Sequence, residues 1–168
     1  MKSITNIIDK LENLLASLAG IVILFLMLST ILEVTARFFF NTSFVWIQEY
    51  NEYALLYIPF LAGAWLLRLN GHVVVDLIDN FVSPKISKVL EKIVVLIGVA
   101  TMAIMLYASI IVTINAFRDN LTSVTILHTP QAYVYIIIPI GTFFMLIEFI
   151  RQFTQKDIER HDAIEELT

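Results

Sequence analysis

The chain has 168 residues, 58% of them hydrophobic and 15% charged, with mean hydropathy +0.81 and a formal net charge of -4. This is far more apolar than an ordinary globular domain, and it leaves no room for a separate soluble catalytic module beside one small membrane domain. The absence of Cys excludes disulfides, thiolate metal sites and cysteine nucleophiles together.

Four apolar runs, at about 14–36, 50–67, 93–117 and 132–150, are each long enough to cover a hydrocarbon core of roughly 30 Å at about 1.5 Å per helical residue. The predicted fold is therefore an all-α membrane protein, one domain over 1–168 with four transmembrane helices. Lys2, Lys10, Arg68, Lys85, Lys88, Lys92, Arg151, Lys156 and Arg160 fall on one side of these spans, and only Arg37 and Arg118 on the other. Because Lys and Arg are retained on the cytoplasmic side, both termini and the middle loop are predicted to be cytoplasmic, with loops at about 37–50 and 118–131 facing outward.

At the N-terminus, Ile4, Ile7, Ile8, Leu11, Leu14, Leu15 and Leu18 recur at helical spacing, while Lys2, Asp9, Lys10, Glu12 and Asn13 take the other positions. Two geometries fit this stripe: a helix lying in the headgroup layer before bending into the bilayer, or a plain extension of the first span. The first apolar run is longer than a signal-peptide core and passes directly into Glu33-Val34-Thr35-Ala36-Arg37, so it reads as a retained span. Glu33 and Arg37 stand four residues apart near the outer interface, in the order that favours pairing; with no second buried acid or His expected beside it, Glu33 reads as a paired carboxylate and not a proton relay.

Phe38, Phe39, Phe40, Phe44, Trp46, Tyr50 and Tyr53 crowd the outer boundary as an aromatic belt does. Glu49 and Glu52 open the second span, where acids complement the positive end of the helix dipole. Pro59 inside that span is expected to bend it and free a carbonyl, and Ala62-Gly63-Ala64 to allow close helix approach. In the middle loop, Val74, Leu77, Ile78 and Phe81 at helical spacing predict an amphipathic arm over about 73–92 lying on the membrane surface. Within it, Ser83-Pro84 is the start of a helix that runs on through the third span. Thr129-Pro130 repeats this cap-then-proline pattern for the fourth span, and Pro139 with Gly141 is expected to kink or loosen that helix near its middle. The acidic segment 151–168 is predicted to be a polar cytoplasmic tail.

Chemistry of its own is hard to find. The spans hold almost no polar or ionisable residues near their midplane and no visible internal repeat, which a self-sufficient transporter needs. His72, His128 and His161 are scattered, with neither metal-site spacing nor the paired intramembrane positions of haem ligands. Asn41-Thr42-Ser43 and Asn120-Leu121-Thr122 are chance-level glycosylation matches. What remains is a protein that works by contact.

Arg37-Phe38-Phe39-Phe40-Asn41 followed by Trp46-Ile47-Gln48-Glu49-Tyr50 resembles the R-[FY]-x-F-N and W-x-[EQ]-E stretch of the small membrane subunit of TRAP (tripartite ATP-independent periplasmic) transporters, the DctQ-like family. Phe60-Leu61-Ala62-Gly63-Ala64 and Gly71-His72-Val73-Val74-Val75-Asp76-Leu77 look like that family's F-L-G-A-A and G-x-H-[IV]-x-[IV]-D, and Thr129-Pro130 with Ile138-Pro139-Ile140-Gly141 like its fourth-helix pattern. The likeness runs in order over about 30–150; Gln48 stands where an acid is common, and Ala62-Gly63 inverts the usual order. The resemblance implies a bacterial inner-membrane, multi-pass, non-catalytic subunit of a sodium-driven transporter for organic acids such as sialic acid or C4-dicarboxylates. Its implied partners are the lipid bilayer, a large membrane subunit that carries the sodium and substrate sites, and a periplasmic substrate-binding protein. No cofactor in this subunit, no metal and no nucleic acid is expected. On that likeness Arg37, Asn41, Trp46, Glu49 and Glu52, with Arg118 and Asp119, are candidate partner-interface residues. Glu33, Pro59, Gly63, His72, Asp76 and Pro139 are candidate structural ones, with His72 and Asp76 spaced to cap and orient the surface helix. Interfacial anchoring alone also accounts for charged and aromatic residues at span ends. The alternative reading is a membrane anchor subunit of a redox enzyme complex.

Overall fold

The computed structural model of the chain describes residues 2–70, 84–125 and 127–165. Among them are α1 (Lys2–Phe40), α2 (Val45–Asn70), α3 (Pro84–Arg118), a short α4 (Gln131–Tyr135) and α5 (Ile137–Glu165), with no strand beyond a single bridge between Thr122 and Pro130. Four helical stretches are long and apolar enough to cross a membrane: Thr5–Phe40, Val45–Leu69, Lys92–Arg118 and Gln131–Thr154. All four expected spans are therefore present. His72, Asp76 and the 73–83 part of the expected surface arm lie outside the described residues. The 84–92 part forms the first turns of α3, which starts at Pro84 and continues without interruption to Arg118.

Of the two geometries open for the N-terminus, the helical extension is the one adopted. α1 is one helix of 39 residues, about 58 Å at 1.5 Å per residue, and so outreaches the hydrocarbon core. Its stripe, however, is turned opposite to a surface helix on water. Ile7, Leu11, Leu14 and Leu18 point away from the protein, while Glu12 is fully buried.

Asparagine ends two of the long helices. Asn41 takes left-handed dihedrals (φ 49°) directly after α1, and the Thr42 N–H closes back onto the Ala36 carbonyl. Asn120 does the same after α3 (φ 47°): the Leu121 N–H reaches Ala116 at 3.1 Å and the Asn120 N–H reaches Phe117 at 3.4 Å, the paired bonds of a Schellman motif. Both belong to the sequence triplets dismissed as chance glycosylation matches; their role is to stop helices, since Asn tolerates the left-handed region that most residues avoid.

The long helices stand in a row, α1 against α2, α2 against α5 and α5 against α3, with α1 and α3 at the edges and α4 packed on α3 and α5. The buried centre is Ala19, Leu61 and Ile137, flanked by Leu15, Val22, Leu56, Tyr57, Phe60, Ala62 and Ile138. α2 and α5 approach closely at Gly141, where an added Cβ would lie 2.3 Å from the Phe60 carbonyl oxygen. Such an approach between backbones is how helices gain dispersion contact when lipid offers no hydrophobic drive. Gly63 serves the same pair of helices, although a Cβ there would meet only the flexible Met145 side chain.

Two local expectations change. The fourth span is interrupted at Ile136, near its start and not its middle. Pro139 has no N–H for the Tyr135 carbonyl, so the hydrogen-bond ladder lapses one turn before the proline while Ile136 keeps helical dihedrals (φ −58°, ψ −26°). Hydroxyls of neighbouring helices stand at this break: Tyr57 Oη donates to Tyr133 O at 2.6 Å, and Thr113 Oγ1, which lies 2.8 Å from the Ser109 carbonyl, is 3.5 Å from Tyr135 O. Thr129 does not cap this span. Pro130 occupies the N-cap position itself, extended at ψ 116° with no side-chain cap, because the Thr122–Pro130 bridge and the bonds from Ser123 N–H to Thr129 O and from Gln131 N–H to Leu121 O hold the loop as a tight hairpin. Pro59 lies exposed inside α2, which is continuous through it.

Candidate functional site

Apolar side chains dominate the row, so its chemistry lies in the buried polar ones: Glu12, Glu33, Glu49, Ser109, Thr113, Thr142 and Glu148. The three hydroxyls donate to their own helices, Ser109 to Leu106 O, Thr113 to Ser109 O and Thr142 to Ile138 O. All four buried carboxyls sit toward one end of the row or the other.

At the end that carries both chain termini, here the terminal end, five charged residues from three helices meet. Arg151 Nη1 on α5 donates to Asp9 Oδ1 at 2.8 Å and to its neighbour Glu148 one turn earlier. Arg68 on α2 reaches Asp9 Oδ1 at 3.3 Å, Glu12 Oε2 at 3.1 Å and the Asn13 side chain. Gln152 adds a bond to the Leu67 carbonyl at 3.0 Å. The cluster ties α1 to both central helices. The sequence carried a signal for it: Asp9, Glu12 and Asn13 share one helical face, as do Glu148 and Arg151.

At the opposite, loop end, the expected Glu33–Arg37 pair forms, and Ser43 Oγ adds a second donor to the same Glu33 oxygen at 3.0 Å. Glu49 is turned inward and 4% exposed. Its Oε2 accepts from Thr125 Oγ1 at 2.8 Å, and Thr125 in turn lies 2.7 Å from Ser123 Oγ, so the carboxylate holds the hairpin down on α2. Part-way along, Asn51 joins α2 to α1 through Ser29 at 2.6 Å and Thr30 at 3.3 Å.

A family model, Tripartite ATP-independent periplasmic transporters, DctQ component, matches residues 26–157, well over half of the chain. The chain belongs to that family. Neither the curated proteins nor the solved structures gave a match. As a DctQ component it is a small, non-catalytic membrane subunit of a TRAP transporter, which speaks against an anchor for a redox enzyme.

The candidate interface residues of this DctQ component divide by exposure. Asn41, Trp46, Glu52, Arg118 and Asp119 are exposed at the loop end, as is most of Arg37, while Glu49 belongs to the interior. Trp46 stands edge-to-face with Tyr50, and Tyr50 with Tyr53, while Phe44 is tilted against Trp46. Phe38, Phe39, Phe40 and the hairpin tip Val124, 98% exposed, complete an apolar rim there. Thr125, which fixes that tip together with Ser123, carries no sequence signal because its partner Glu49 is 76 residues away.

Proposed function

We propose that this DctQ component moves no solute itself but enlarges and braces the scaffold of the large TRAP subunit, and that its loop end helps dock the periplasmic binding protein. The observation that carries this reading is the distribution of buried polarity. Among the described residues, buried carboxyls lie only toward the two ends, and the buried hydroxyls between them are bonded to their own helices. A path for a carboxylate solute needs polar or charged groups at mid-depth, free to bind it. In keeping with that division of labour, sodium coupling and organic-acid binding would fall to the large subunit, with the termini of this one cytoplasmic and the rim of Trp46, Glu52, Arg118, Asp119 and Val124 on the periplasmic face of the inner membrane.

The test is reconstitution. Vesicles holding both membrane subunits and supplied with binding protein should accumulate an organic acid along a sodium gradient, and vesicles holding this chain alone should not. Uptake by this chain alone would overturn the reading. Trp46→Ala and Glu52→Ala should lower recovery of the large subunit or uptake; normal behaviour in both assays would remove those residues from the interface.

A further inference from the structure

The terminal-end cluster has an imbalance that the contacts described so far do not resolve. Asp9, Glu12 and Glu148 present carboxyl oxygens all within 4.8 Å of one another, against the two guanidiniums of Arg68 and Arg151. As ordinary ions these five leave one negative charge uncompensated, at a site where Glu12 is 0% and Glu148 3% exposed. Glu12 is also poorly served. Its Oε2 lies 3.1 Å from Arg68 Nη1 but off the line of that N–H, so neither of its oxygens receives a hydrogen bond. Ionised carboxylates only accept, and a buried oxygen without a donor costs about 1–3 kcal/mol, so two facing glutamates cannot both be ions at low cost.

We propose that this cluster is a proton-binding site, with one proton shared between Glu12 and Glu148 that closes the clasp of α1 onto α2 and α5. The proton brings the cluster to neutrality and turns one carboxyl into a donor for the other. The remaining charges fit around it. Arg151 serves Asp9 and Glu148, and Arg68 bridges Asp9 and Glu12. Lys10 on α1 is exposed, and Lys92 on α3 lies 5.9 Å over the Phe153 ring. A metal ion fits less well, because it would share its oxygens with two guanidiniums already in place. A proton held only in the folded cluster gives the linkage a definite sign. In the unfolded chain the glutamates are ionised at neutral pH, so the folded state binds the extra proton, and stability falls as pH rises through the range where the cluster releases it.

The experiment uses the full chain in lipid vesicles, read by infrared absorption and thermal unfolding. At neutral pH the wild type should show a carboxylic C=O band that shifts in D2O and is lost in Glu12→Gln. Its unfolding midpoint should drop between neutral and alkaline pH, and that of Glu12→Gln should drop less, since the amide supplies a permanent donor in the proton's place. Identical carboxylic absorption in the two proteins would overturn the proposal, as would a wild-type midpoint unchanged by alkali. If Glu12→Gln does not fold, the wild type decides: its carboxylic band must fade on alkalinisation together with the midpoint. A midpoint that rises when NaCl replaces choline chloride, with no carboxylic band, would assign the site to a metal ion and overturn it equally.

Discussion

The two ends of this row of helices solve the same problem with different chemistry. Among the described residues each buries two carboxyls, but the terminal end sets guanidiniums beside them, Arg68 of α2 at Glu12 and Arg151 of the same helix at Glu148, and both guanidiniums reach across to Asp9 of α1, whereas the loop end answers Glu33 with its own helix and the turn after it and Glu49 with a hairpin hydroxyl. Arg151 reaches Asp9 across 142 positions of sequence, whereas Glu33 is served by its own helix and the turn that follows. The terminal end is therefore a joint between helices, and the loop end a set of fastenings for loops. This contrast suits a subunit whose helix row must be rigid while its outer rim presents a surface.

The comparison is broken most severely at Arg151. Its side chain is 22% exposed and serves both Asp9 and Glu148, so Arg151→Met leaves the buried Glu148 without its cation and Asp9 with Arg68 alone. Removing one partner from a buried charge group costs about 3–5 kcal/mol. The unfolding free energy of the purified chain in bicelles should fall by about that amount, and the N-terminal turns of α1 should gain hydrogen exchange first. A loss of less than about 1 kcal/mol would place this joint with ordinary surface ion pairs.

Thr125→Val tests the other end. The swap keeps the shape but removes the donor to Glu49 Oε2, and Oε1 already lacks one. An unsatisfied buried acceptor costs about 1–3 kcal/mol, less than at the terminal joint. The damage should also be local: protease cleavage or exchange should rise within the hairpin around Val124 while the helices remain protected. Loosening that spread to α1 would mean the two ends are coupled, and the contrast between them would fail.

What was legible in the sequence follows the same line. Apolar runs fix the four spans because length alone decides them, and Glu33 with Arg37 was readable because both partners lie on one helical face. The terminal joint was hidden for a physical reason. The N-terminal stripe fits a surface helix or an extension of the first span, and neither geometry by itself says that Glu12 turns inward. In lipid the apolar face can turn outward, and the polar face must then find partners inside. Arg68 and Arg151 had meanwhile been counted only as cytoplasmic anchors, although nothing prevents a residue at a span end from being an anchor and a joint at once. Thr125 was out of reach, since only a folded hairpin brings it to Glu49. Asn41 and Asn120 are visible as asparagines after apolar helices, but an Asn at that place is too weak a signal by itself to fix the left-handed stop that each provides.

The smallest expected effect sharpens the comparison most. Arg37 pairs with Glu33 but keeps a side chain 56% exposed, so solvent screens the pair, and exposed ion pairs contribute about 0–1 kcal/mol. Ser43 continues to donate to the same oxygen when Arg37 is gone. Arg37→Ala should therefore leave the unfolding free energy of the isolated chain within about 1 kcal/mol of wild type, and the double change with Ser43→Ala should exceed the sum of the two singles because Glu33 then loses both donors. Co-purification with the large subunit reads a different property. If Arg37→Ala cuts recovery of the complex several-fold while barely moving the midpoint of the isolated chain, the guanidinium has work beyond Glu33, on a surface supplied by a partner. If recovery and stability change together and slightly, Arg37 is a fastening like its neighbours, and the rim proposed for docking begins at Trp46.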